Sequence, residues 1–428
     1  MNVLILTIGS RGDVQPYVAL GKGLSAAGHV VTVCANVRFK SFIEEHGLAY
    51  AYLNDDLVSL LDTDVGRAAV EDLGNMFKGI RTAVRLVKKT GPIMQALIRE
   101  GWEAAEAVNP DIMLYHTKMG SAVHYAEKLN TPVVHASLFP QFVPTAAFPT
   151  IGFPTLKLGG WYNLFTYRLV LKIASKIGAK YIQEWRSSQD LPRQPRGTDI
   201  LHKSDGTRIP VLHACSNKVI AEPTDWPEGV VNTGYWFMDR PTDWEPPIAL
   251  EQFLASGAPP VYVGFGSMAG RKPERVTRIV IDALQRADLR GVLASGWGGL
   301  APGELPDTIL KIDKVPHDWL FPQTLAVVHH GGAGTTAAGL RAGRPTIICP
   351  FFGDQPFWGR RMHELGVGTA PIPQKKLTVE KLVAALTEVT ENPSISEKAS
   401  FLGKQIRGED GIGVTIAFVE RVYDLARA

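Results

Sequence analysis

Residues 325–336 read Leu-Ala-Val-Val-His-His-Gly-Gly-Ala-Gly-Thr-Thr: an apolar run halts at two histidines, crosses a glycine turn and enters an Ala-rich stretch. A strand running through such a turn into a helix restricts the chain to a parallel α/β unit. Its glycines let backbone N–H groups approach an anion, and the helix N-terminus behind them adds partial positive charge. The next apolar run ends in Cys349-Pro350-Phe351-Phe352-Gly353-Asp354-Gln355-Pro356, where a carboxylate and an amide suit neighbouring sugar hydroxyls. Phosphate on one side and sugar on the other point to a nucleotide-sugar site.

The same rhythm recurs along the chain. Apolar runs at 3–8, 30–35, 112–115, 133–137 and 211–214, with helical spacing between them, predict one doubly wound domain. Runs at 261–265, 291–295, 309–315, 325–328 and 346–349 predict a second. Between them, Pro223, Pro227, Pro241, Pro246, Pro247, Pro259 and Pro260 crowd a segment poor in apolar runs, which reads as a linker. The expected organisation is therefore 1–222, a linker at 223–260, a second Rossmann-like domain at 261–410, and a tail at 411–428. A chain of 428 residues also exceeds the usual single core.

Composition narrows the function classes. A net charge of +3 with no basic run gives no footprint for nucleic acid. Three cysteines, each in an apolar stretch and without metal-ligand spacing, form neither a disulfide framework nor a zinc site and imply a reducing cytoplasm. The apolar first residues lack a basic flank and break at Gly9-Ser10-Arg11-Gly12-Asp13, so they read as a buried strand. No run reaches the roughly 18–20 apolar residues of a spanning helix. Asp62-Thr63-Asp64 is formally an Asp-x-Asp but lacks the context of a cation site and reads as chance.

Residues 139–185 depart from the α/β rhythm, with four prolines followed by Trp161, Tyr162, Phe165, Leu169, Ile173, Ile177 and Tyr181 among Lys157, Arg168, Lys172, Lys176 and Lys180. A loop and then an amphipathic helix are expected. Two readings stand: a core-facing helix with a solvated basic face, or an apolar acceptor mouth that also touches a membrane surface.

The His-His-Gly-Gly turn and Asp354-Gln355 resemble the donor-binding region of family 1 glycosyltransferases with two Rossmann-like domains facing across a cleft, the GT-B fold. Gly9-Ser10-Arg11-Gly12-Asp13-Val14-Gln15-Pro16, with Asp225-Trp226-Pro227, Thr233-Gly234-Tyr235, Gly264-Phe265-Gly266-Ser267-Met268 and Pro316-His317-Asp318-Trp319-Leu320, looks most like the sterol glucosyltransferase branch. Bacterial glycopeptide and macrolide enzymes share the first and last motifs. The resemblance spans roughly residues 1 to 425. It implies an inverting, metal-independent transfer of a hexose, glucose from UDP-glucose foremost, to a hydroxyl of a sterol- or triterpenoid-like acceptor. The alternative is a natural-product enzyme using a UDP- or dTDP-sugar. No cofactor is expected beyond the sugar nucleotide, and the partners are that donor and an apolar small molecule, bound by a monomer. The fungal enzymes carry lipid-binding domains upstream; this chain starts at the first strand, so targeting by such domains is expected to be absent. In the family the last helix crosses back onto the N-terminal domain, and 414–426 is the candidate.

Inversion needs a base for the acceptor hydroxyl, in-line alignment and stabilisation of the departing diphosphate. Asp13, just after the first strand, matches the aspartate proposed as base in the antibiotic enzymes, although it could instead cap the following helix. His116, after the strand at 112–115, is the rival base or an acceptor contact, with Phe139, Trp161 and Phe165 as further acceptor residues. On the donor side, the resemblance places His330, Gly332, Gly334 and Thr335 at the diphosphate and Val315 and His317 at the nucleobase. Ser267, Ser10 and Arg11 are within reach of phosphate, and Asp354 and Gln355 are set for the sugar. Lys314 and Ala338 stand where plant members have a stacking Trp and a ribose-binding Glu, which leaves uridine against thymidine open.

Two rival classes are weaker. A nicotinamide enzyme would want Gly-x-Gly-x-x-Gly after the first strand and an acidic residue after the second, and neither is present. A degenerate, non-enzymatic binding or activating partner conflicts with intact Asp13, His330 and Asp354, and sugar-nucleotide turnover would exclude it.

Overall fold

The computed structural model describes residues 1–62, 76–265, 273–294 and 305–428. They form two compact units, Met1–Met238 with Asp410–Ala428, and Asp239–Glu409.

In the first unit, strands β1 (Asn2–Leu6), β2 (Val30–Asn36), β3 (Ala49–Leu53), β4 (Ile112–Tyr115), β5 (Val133–Ser137), β6 (Val211–His213) and β7 (Val230–Asn232) make one parallel sheet ordered β3-β2-β1-β4-β5-β6-β7. Helices cover both faces, which is why β1 reads as a continuous apolar run: Val3 and Ile5 pack into one core, Leu4 and Leu6 into the other. Each such side chain contributes about 1.5–3 kcal/mol by burial.

Two strands escaped the sequence reading. β3 alternates as Ala-Tyr-Ala-Tyr-Leu because it is an edge strand, with Tyr52 half exposed. β7 is only three residues long and lies inside the segment expected as linker. That segment is in fact divided. Residues up to 238 complete the first sheet, while the helix Ile248–Ala255 packs Leu250 beneath the second. Prolines here mark the ends of short elements rather than a free connection.

The final helix, Gly411–Arg427, belongs to the first unit. Phe418 and Val419 enter the core beside Leu20 and Trp236, and Trp236 Nε1 donates to Thr415 Oγ1 at 2.8 Å. Gly411 permits the close approach, since a Cβ there would lie 2.5 Å from the Tyr235 carbonyl oxygen.

In the second unit β8 (Val261–Gly264), β9 (Gly291–Ala294), β10 (Ile309–Ile312), β11 (Val327–His329) and β12 (Thr346–Ile348) are all parallel, ordered β10-β9-β8-β11-β12. Each sheet therefore reverses its strand order once, between β1 and β4 and between β8 and β11. Open α/β sheets bind ligands at such points. Among the described residues no helix is long and apolar enough to cross a membrane, and the three cysteines are buried and form no disulfide.

Candidate active site

Asp13 and His116 follow β1 and β4, the strands flanking the first reversal. The helix Arg11–Ala26 begins with Ser10 as its N-cap, and Asp13 is its third residue. Asp13 Oδ2 accepts from the Ser10 backbone N–H at 2.8 Å and from Ser10 Oγ at 3.0 Å. This is the capping role expected as an alternative to catalysis, and the geometry makes the two compatible. One oxygen caps; the other, Oδ1, faces His116 Nε2 at 3.5 Å and Lys118 Nζ at 2.9 Å. Gly9, at φ +142°, makes room, because a Cβ there would collide with the Asp13 carboxylate. Its N–H is fixed by Asn36 Oδ1 at 2.9 Å, from the end of β2.

The His116 ring is buried edge-on against Tyr17, and its Nδ1 accepts from the Lys118 backbone N–H at 3.3 Å. That leaves Nε2 to carry the proton and point it at Asp13. Burial pulls His116 down to about 4, against a smaller upward pull from Asp13, so it is neutral at pH 7. For Asp13, burial pushes the carboxyl up, but Lys118, His116 and the Ser10 N–H together outweigh it, and the net direction is below the ordinary carboxylate value. A neutral imidazole beside a carboxylate held ionised fits the expectation of Asp13 as a base with His116 as an orienting neighbour.

Lys118 was not anticipated, and neither was the polar row behind it. Thr117 Oγ1 lies 3.0 Å from His135 Nε2 and 3.4 Å from Ser137 Oγ, which donates to the Phe139 carbonyl at 2.7 Å. The available signal was position alone: Thr117 and Lys118 follow β4, and His135 and Ser137 lie on β5. Phe139 joins this row through its backbone carbonyl. Trp161 and Phe165 stand elsewhere, on the outward face of the helix Gly160–Ala174, 67% and 52% exposed. Arg11 lies over the Phe42 ring and donates to Gln15 Oε1 at 2.8 Å.

In the second unit β11 runs into His330, Gly331, Gly332 and the helix Ala333–Ala342. Gly331 has φ +91°, and a Cβ there would lie 2.7 Å from Ile348 Cγ2. Gly332 is the N-cap and brings no side chain to cap the helix, so the first-turn N–H groups are left for a ligand. Gly334 opens onto free space and Thr335 is half-buried in that first turn, while Thr336 turns back to the Gly332 carbonyl at 2.9 Å. His329 is buried packing, its Nδ1 accepting from the Gly331 N–H at 3.1 Å. His330 Nδ1 has no partner among the described residues, and burial pulls this ring down to about 4. The uncapped N-terminus of this helix fits an oxyanion, with the His330 ring beside it.

The remaining donor candidates are already anchored. Asp354 Oδ2 accepts from Trp358 Nε1 at 2.8 Å, and buried Gln355 turns its Oε1 to the Phe351 N–H at 2.8 Å. His317 stacks on Phe321 with centroids 4.2 Å apart, and Val315 packs against the same cluster. Ser267 lies outside the described residues, as do Thr63 and Asp64. Among the described residues no group of three or more His, Cys, Asp or Glu is placed to hold a metal.

Two family models match in tandem: the glycosyltransferase family 28 N-terminal domain over residues 3–148, and the erythromycin biosynthesis protein CIII-like C-terminal domain over residues 279–409. The whole chain is 38% identical to a sterol 3-beta-glucosyltransferase of Penicillium rubens and 37% identical to one of Glomerella lagenarium. It spans only 31% and 29% of those proteins' lengths. Among solved structures, the kitacinnamycin glycotransferase superposes with a TM-score of 0.71 at 20% identity, covering 98% of both chains. The calicheamicin glycosyltransferase CalG4 gives 0.68 at 18%, again over 98% of both. With two all-parallel α/β sheets and two glycosyltransferase models matching in tandem, the chain has the GT-B glycosyltransferase fold and is similar over its whole length to part of the sterol 3-beta-glucosyltransferases.

Proposed function

We propose that this protein transfers a hexose, glucose from UDP-glucose foremost, to the hydroxyl of a rigid apolar alcohol of the sterol or triterpenoid class, with inversion. The observation that carries the reading is the division of labour within Asp13: Oδ2 is spent on the helix cap, while Oδ1 is flanked by the Lys118 ammonium and a neutral imidazole. The acceptor hydroxyl takes the place of Lys118 on Oδ1. As its oxygen bonds to the anomeric carbon, the bond from that carbon to the diphosphate breaks and the hydroxyl proton passes to Asp13. The first-turn N–H groups at Gly334 and Thr335, together with His330, receive the charge of the departing diphosphate. Ser10, Arg11 and Ser267 are assigned to the same phosphates, Val315 and His317 to the nucleobase, and Asp354 and Gln355 to the sugar.

Phe139, which follows β5, is assigned to the acceptor; Trp161 and Phe165, on the outward face of the helix Gly160–Ala174, are not. A flat ligand burying about 250 Å² would gain roughly 6 kcal/mol before association costs. The full-chain similarity to sterol enzymes supports this acceptor class. The natural-product reading has support of its own, since one solved neighbour is a glycosyltransferase, VinC, in complex with dTDP. We place the protein in the cytoplasm as a monomer, where its three buried thiols stay reduced.

The test is a panel of UDP- and dTDP-sugars crossed with sterols, triterpenoids, macrolides and flavonoids, read by diphosphate release and product mass. UDP-glucose with a sterol or triterpenoid is the expected best pair. Preference for small polar sugars as acceptors would sink the acceptor class, and a dTDP-sugar preference would sink the donor.

A further inference from the structure

Seven of the fourteen large exposed hydrophobic side chains among the described residues fall within one stretch of 22: Leu156, Leu158, Trp161, Phe165, Leu169, Ile173 and Ile177. Single exposed apolar residues are ordinary, but a concentration of this kind marks an interaction face. The helix Gly160–Ala174 already has a core side, where Tyr162, Asn163, Thr166, Tyr167 and Leu171 are buried. At 100° per residue, Trp161, Phe165, Arg168, Leu169 and Lys172 fall within about 100° of one another on the opposite side. Its outward face is thus apolar and cationic together, where a solvated helix would be polar.

The charge is one-signed. Between Glu127 and Glu184 the sequence contains no Asp or Glu, while Lys157, Arg168, Lys172, Lys176 and Lys180 are all exposed. Lys180 pairs with Glu184 at 3.7 Å; the other four have no ion-pair partner among the described residues. A protein partner matching this surface would need an apolar groove rimmed by carboxylates. A bilayer with anionic headgroups supplies both features without further specification: the rings and branched chains enter the acyl boundary, and the long Lys and Arg stems reach back to phosphate.

We propose that the outward face of residues 156–177 docks the protein peripherally onto an anionic phospholipid surface. The proposal deepens the reading above, since apolar polycyclic alcohols partition into bilayers, and it depends on that reading only for its purpose. The helix lies in the interface plane and does not span it.

The test is flotation of the full chain with vesicles of phosphatidylcholine, with and without phosphatidylglycerol, at low and high salt. Binding is expected to the anionic vesicles and to weaken with salt. The Lys172→Glu/Lys176→Glu double variant should reduce it by at least about tenfold. Ile173→Ser/Ile177→Ser should reduce it at both salt concentrations. Both variants should keep wild-type Tm and wild-type turnover of a cyclodextrin-delivered acceptor. Absence of vesicle binding, equal binding to neutral vesicles, or variants that bind like wild type would overturn the proposal. So would self-association through this face, seen as a dimer by light scattering that Ile173→Ser/Ile177→Ser dissolves. Vesicle binding without turnover of any sterol or triterpenoid would instead sink the acceptor assignment and leave the docking face standing.

Discussion

Lys118 Nζ lies 2.9 Å from Asp13 Oδ1, the same oxygen that His116 Nε2 faces at 3.5 Å, so a half-exposed ammonium occupies the position proposed for the acceptor hydroxyl. The lysine side chain is nearly half exposed, whereas the other partners of Asp13 come from its own cap or from a buried ring. It is the one that can leave.

Replacing Lys118 by Met should therefore raise the Asp13 pKa, since the charge lost was favouring the ionised form; His116, neutral, and Tyr17 remain beside it. The acid limb of kcat/KM should move to higher pH by about one unit, and Lys118→Arg should leave it in place. The sign extends to stability. Asp13 has a depressed folded value, so its contribution is present above its unfolded value of about 3.9 and is lost as pH falls through the folded one. Lys118→Met should shrink that contribution. An acid limb that does not move would remove Lys118 from the charge environment of the base.

Asp13→Asn should lower kcat by about two to four orders of magnitude with donor affinity nearly unchanged. An asparagine carbonyl can still accept from the Ser10 N–H, so the helix start and the Tm should persist. Normal turnover in this variant, with a large loss in His116→Ala, would transfer the role of base to the histidine.

Gly332→Ala should weaken donor binding about tenfold or more, measured by titration with the nucleotide diphosphate, because the added Cβ would lie 2.6 Å from His330 Nε2. His330→Ala should weaken diphosphate affinity to a similar extent and spare acceptor KM. Affinity unchanged in both would place the diphosphate elsewhere.

Turnover should be insensitive to EDTA if, as proposed, the first-turn N–H groups of the helix Ala333–Ala342 stabilise the leaving group. Inactivation by chelator that manganese or magnesium restores would contradict that.

Arg186→Met should cost about 2–3 kcal/mol in urea denaturation. Arg186 is fully buried and forks onto Glu127 at 2.6 and 2.9 Å while donating to the Pro192 carbonyl. The cost falls below that of a wholly buried broken pair because Glu127 keeps some access to water.

What the sequence determined by itself was the repeating strand–turn–helix order and the chemistry at the strand ends. A strand buried on both faces must be apolar throughout, as 3–6 and 327–328 are, and a turn that admits an anion must be glycine, as at 331 and 332; both requirements act within a few residues of chain. The edge strand at 49–53 and the short strand at 230–232 were hidden because their existence depends on neighbours distant in sequence, β2 and β6. The same reason hid the Lys118–Asp13 contact, which joins residues 105 apart. Capping and catalysis looked exclusive for Asp13 while its carboxylate was treated as one group. Only the tertiary structure could give its two oxygens different partners, one from the chain beside it and one from the adjacent strand. The segment at 139–185 teaches the same lesson: its apolar and basic spacing was visible, but packing decided that Tyr162, Tyr167 and Leu171 turn inward while Trp161, Phe165 and Lys172 remain outside.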